Sequence, residues 1–174
     1  MTRKHKPAQP VYVMRYTLLD EMLASATQPT PAAQAARQIT AMRDGFWRIL
    51  HAPTPGTDDW RLCSDAVNLV ETFVTRKTWL GCDGQPVDIE DTSGLLADAV
   101  HALDMAGARH RKGAAIRLDA AGIVAVRAVL DDYERILATL PARALIACHR
   151  ATEKRIHEIQ RGKRRPHDVE VVAL

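Results

Sequence analysis

Ile123, Val126, Leu130, Tyr133, Leu137 and Leu140 recur at spacings of 3, 4, 3, 4 and 3, between Asp119 and Pro141. That period puts all six side chains on one stripe of an α-helix, and such a stripe needs other helices to cover it. Burying these six side chains contributes on the order of 10 kcal/mol before chain entropy is subtracted. Asp119 is a natural N-cap and Pro141 a natural stop. On its outer side the same helix carries Arg127, Asp131 and Arg135 at four-residue intervals, a pattern that predicts a self-neutralising ion-pair ladder.

The rest of the chain punctuates into similar units. Thr17 caps a short helix to about Ala26, with Asp20 and Glu21 in its first turn. Thr30-Pro31 opens a helix toward Leu50 that turns Ala36, Ile39, Phe46 and Leu50 inward. Thr57 or Asp58 starts another, with Trp60, Cys63, Val67, Val70 and Val74 on its stripe. Gly81 to Pro86 reads as a turn-rich loop. A fourth helix is expected from Asp88–Asp91 to Gly113, with Leu96, Ala99, Leu103 and Ala106 on one face. Residues 114–118 follow as a connector that could form one strand, and Pro141 opens the last helix, to about Arg161. The fold class is therefore all-α: a single-domain bundle of five to six mostly antiparallel helices. Its expected divisions are an extended N-terminal arm over 1–16, the bundle over 17–162 and a loose basic tail over 163–174.

Composition agrees with a soluble helical domain: 47% apolar, 26% charged and only 5% aromatic residues. No run approaches the ~18 apolar residues of a membrane span. The basic start lacks the apolar stretch of a signal peptide. Cys63, Cys82 and Cys148 are odd in number and without a C-x-x-C, which indicates reduced thiols and a cytoplasmic location. The net charge of +3 is uneven. Residues 1–6 contribute +3 and residues 149–165 contribute +5, which leaves −5 for the remainder.

No catalytic signature is present. His149, Glu153 and His157 form a row at four-residue spacing that reads as exposed, pH-sensitive surface, and there is no HExxH. Gly81 and Gly84 lack the lysine and flanking strand of a phosphate loop. Trp47, Trp60 and Trp79 are assigned to core or interface packing. A non-enzymatic protein with no metal and no cofactor is expected.

What remains is positive charge. On the last helix Leu145, Cys148, Thr152, Ile156 and Ile159 share one side, and Arg150, Lys154, His157 and Arg161 lie opposite. Lys163, Arg164 and Arg165 continue the basic stretch. Arg109, Arg111 and Lys112, with Arg117 nearby, make a second cluster. Solvated cations complementing helix C-termini explain much of both. If the clusters share one side of the molecule, they form a surface for a polyanion or an acidic protein face. No helix-turn-helix spacing is evident.

Three stretches carry a resemblance: Lys4-x-Lys6-Pro7-x-x-Pro10-Val11-x-x-Met14, Ala66-Val67-Asn68-Leu69, and Arg117-Leu118-Asp119-x-x-Gly122-Ile123. Together the chain resembles small uncharacterised helical proteins of bacterial plasmids and prophages, some of them labelled transcriptional regulators. The resemblance implies an accessory protein of a mobile element, one that regulates its element or interferes with a host or defence complex. The first expectation is therefore binding to another protein. The second is a weakly sequence-specific DNA- or RNA-binding regulator using the basic last helix. Val or Leu side chains left exposed once the bundle closes would point to a homodimer.

Overall fold

The computed structural model describes residues 15–76 and 78–161. Most of the expected N-terminal arm and the whole 163–174 tail, including Lys163, Arg164 and Arg165, lie outside the described residues. Within them the chain is an all-α bundle of six helices: α1 (Leu18–Leu23), α2 (Ala32–His51), α3 (Thr57–Thr75), α4 (Leu96–Arg111), α5 (Ala120–Thr139) and α6 (Ala142–Gln160). The turn-rich loop is the tip of a small antiparallel hairpin, β1 (Trp79–Leu80) with β2 (Pro86–Val87), in register Trp79 with Val87. Residues 114–118 form no strand.

The seam is present as read. Asp119 accepts from the Gly122 N–H at 2.7 Å and caps α5. Val126, Leu130, Tyr133, Leu137 and Leu140 are buried and Ile123 is half-buried. Thr17 and Asp20 cap α1 through a reciprocal box. Gly113 ends α4 at φ +91°, a conformation open to glycine at little cost.

Several expectations are corrected. α4 starts at Leu96, because Asp91 and Ser93 do not enter the helix; the Asp91 carboxylate instead accepts the Leu96 N–H at 3.0 Å from outside it. Ala36 faces solvent. Trp79 is buried as expected, on β1, where its indole N–H donates to the Phe73 carbonyl, whereas Trp47 is 60% exposed against His51. The ladder on α5 does not form within that helix. Asp131 and Glu134 are taken by Arg43 of α2, Arg135 turns to Asp132 and Thr92, and Arg127 stands over the Phe46 ring.

The seam helix is not the main support of α6. α3 is the centre, contacting α2, α4, α5 and α6, and α6 rests on α3 and α1. Accordingly α3 is buried on nearly every side, its polar Ser64, Asn68, Glu71 and Thr72 included. The close crossing of α4 and α5 depends on Gly122, where a Cβ would stand 2.7 Å from the Ala102 methyl.

Candidate interaction surface

α6 carries fewer free cations than its sequence implies. Arg150 is half-buried and ion-paired with Glu21 of α1. Arg155 is buried and paired with Glu71 of α3 at 2.5 Å, and its guanidinium also reaches the Asn68 carbonyl at 3.4 Å. Beside this pair Thr72 and Thr152 share a hydrogen bond of 2.7 Å. Of the expected stripe, Lys154 and Arg161 are exposed and His157 is half-buried.

Arg109, Arg111 and Lys112 are exposed at the end of α4. Arg109 donates to the Arg117 carbonyl, and Arg117 in turn caps the last turn of α2 through the Ile49, Ala52 and Pro53 carbonyls. That turn is tied to the start of α3 by Arg48 and Asp59 at 2.6 Å. Of the α6 cations, Arg155 is anchored at Glu71, twelve residues further along α3, or about 18 Å of helix. The Arg109 cluster and Arg155 therefore attach to opposite halves of α3.

His149 is corrected from exposed surface to core. It is buried, its ring lies 5.1 Å from that of Tyr16, and Nε2 has no hydrogen-bond partner among the described residues. Burial foremost, and the charge of Arg15 after it, bring its pKa down to about 3. Glu153 accepts the Arg15 backbone N–H at 3.0 Å, and its pKa is raised by burial against the pull of Arg15.

This places a pH dependence in the fold. The unfolded imidazole protonates near its ordinary value, while the folded one resists until about pH 3. The stability held by neutral His149 is thus complete above the unfolded value and lost as pH falls below it. Between about pH 7 and pH 5 the loss is about 2 kcal/mol, or about 4–8 °C in Tm. Glu153, with its raised pKa, acts with the opposite sign, so His149→Gln isolates the imidazole. Thermal melts should show a flatter pH profile for that variant; an unchanged slope would overturn the assignment.

The two buried thiols offer no nucleophile. Cys63 is pushed up to about 12 by burial, and burial also raises Cys148, so both are protonated at neutral pH. Among the described residues no group of three or more His, Cys, Asp or Glu side chains is placed to hold a metal ion. No described helix is long and apolar enough to cross a membrane.

The feature that sequence reading missed is the orientation of α1. Its Glu21 side chain and its backbone carbonyls face the body, while its apolar side chains and Asp20 face outward. Glu21 pairs with Arg150, and Arg143 donates to the Met22 and Ala24 carbonyls at 3.0 and 3.1 Å. Backbone bonds from Ala142 to Gln28 and from Arg143 to Ser25 complete the attachment. Leu18, Leu19, Met22 and Leu23 remain 56%, 62%, 65% and 77% exposed, and α1 buries no residue. The available signal was the dense apolar content of a helix too short to fold alone. The chain matches no protein-family model, no curated protein and no solved structure.

Proposed function

We propose that this chain is a non-enzymatic accessory protein of a mobile element that acts by binding another protein through the outward face of α1. One observation carries the reading. Every large apolar residue of that helix is more than half exposed, while hydrogen bonds and an ion pair hold it on α6. Isolated exposed leucines need no explanation, but a contiguous apolar face fixed to a rigid body is what a partner's apolar groove recognises. Covering four such side chains offers on the order of 5 kcal/mol, enough to favour a complex that orders little else.

The second reading, weakly sequence-specific nucleic-acid binding, has less behind it. Arg150 is neutralised by Glu21, and among the described residues the Arg109 cluster is linked to the start of α3 while Arg155 is held at Glu71 near its other end.

The test is affinity capture from bacterial lysate with the full chain and with a Leu19→Asp/Leu23→Asp variant, with and without nuclease. Both positions are exposed, so folding is expected to survive. A partner retained after nuclease and lost at least ten-fold with the variant supports the proposal. Equal capture by the variant, or no partner at all, overturns it. Nucleic-acid retention that falls steeply with salt and disappears in Lys154→Ala/Arg161→Ala would favour the second reading instead.

A further inference from the structure

The bundle leaves a second apolar surface, separate from α1 and bordered at one end by Arg109 of the α4 basic cluster. A groove of about 520 Å³ runs between α4 and the start of α5. Its floor is made of small residues, Ala102, Gly122 and Ala125, and Met105 and Val124 stand on it 41% and 62% exposed. Small residues at a helix crossing allow another backbone to approach closely.

The two charges that α4 contributes to this groove, Asp98 and Arg109, are arranged with a symmetry, while Asp119 lines it from the start of α5. Asp98, Ala102, Met105 and Arg109 lie at spacings of 4, 3 and 4, on one face of α4. Asp98 and Arg109 share a midpoint with Ala102 and Met105. A two-fold axis through that midpoint sets Asp98 against Arg109 of a second copy. It also sets Ala102 against Met105 of that copy, at both ends and in both directions. We propose that two copies of this chain associate here through antiparallel α4 helices, in that register.

Charge complementarity selects a second copy as the occupant. An isologous contact requires one patch to complement itself, and an acid and a base placed equidistant from the centre do so. The short Ala102 side chain leaves the hole that a flexible Met fills. A slip of one turn sets Asp98 against Met105, so the register is singular. Arg109 is pre-positioned by its bond to the Arg117 carbonyl, and Asp98 is exposed. The ion pairs span about 16 Å of helix, so the dimer should be concentration-dependent. This inference uses a different surface from the α1 reading and stands or falls separately.

Sedimentation velocity of the full chain at low salt, over a wide concentration range, tests it. The expected result is a reversible shift from one chain to two. Asp98→Arg and Arg109→Asp should each remain single chains, and the double charge swap should restore pairing. Met105→Lys, which leaves both charges in place, should also prevent it. Circular dichroism confirms that each variant is folded. A wild-type chain that stays monomeric throughout overturns the proposal. So does pairing that survives both single charge reversals, or that is lost in Leu19→Asp/Leu23→Asp and not in the α4 variants.

Discussion

Arg155→Ala is expected to lower the unfolding free energy by about 3–5 kcal/mol, because it breaks a buried ion pair by removing the guanidinium that donates to the Glu71 carboxylate. Both side chains are almost withdrawn from solvent, at 10% and 6% exposure, so little water can replace the lost partner. Removing both charges together should cost far less. Glu71→Leu with Arg155→Met keeps comparable volume and leaves no ion to desolvate, and such replacements are often neutral or stabilising. Urea denaturation of the two variants at neutral pH gives the comparison. A single-variant loss below about 1 kcal/mol would mean that the pair behaves like a surface salt bridge. A double variant as unstable as Arg155→Ala would mean that the cost comes from packing. The pair joins α6 to the central helix, so the destabilised variant should also loosen the platform that carries α1.

The same pair marks where sequence reasoning stopped short. The α5 seam was legible because one face of that helix is apolar and the other charged, so period alone identifies the buried side. α3 offers no such contrast. It is covered by four helices, and its Asn68, Glu71 and Thr72 look like a solvent face until another helix is laid over them. Arg155 was absorbed into the basic stretch of α6, although it follows Cys148 and Thr152 at spacings of 4 and 3 along the buried side. Glu71 likewise sits four residues after Val67 and beside Val70. Two opposite charges, each inside an apolar stripe, are a signal for a buried pair, and the sequence contains it. The polarity of α1 was not legible in that way. Six residues give too short a period to tell inside from outside, and its attachment depends on Arg143 and Arg150, more than a hundred residues away. Likewise Arg43 answers Asp131 from α2, a pairing that local spacing on α5 does not reveal.

Trp60→Ala should destabilise by about 3–5 kcal/mol, the range for deleting a large buried aromatic. Trp60 is 2% exposed, and its indole N–H donates to the Leu103 carbonyl at 2.9 Å, so the residue both fills the α3–α4 interface and ties the two helices. Trp60→Phe separates the two roles. It keeps most of the apolar contact and loses the hydrogen bond, for an expected cost of about 1–2 kcal/mol. If Phe is as damaging as Ala, the bond or the ring size dominates; if Phe is silent, the bond contributes nothing net. Trp60 and Glu71 lie eleven residues apart on α3, about 16 Å, with different partners on α4 and α6. Trp60→Phe and Arg155→Ala should therefore add within about 0.5 kcal/mol in denaturation experiments. Additivity is what a central helix with independent attachments requires. One attachment secures the α4 groove and the other the α6 platform, so each surface can be weakened while the other is kept. A clear departure from additivity would mean that α3 transmits strain along its length, and that a partner on α1 would be felt at α4.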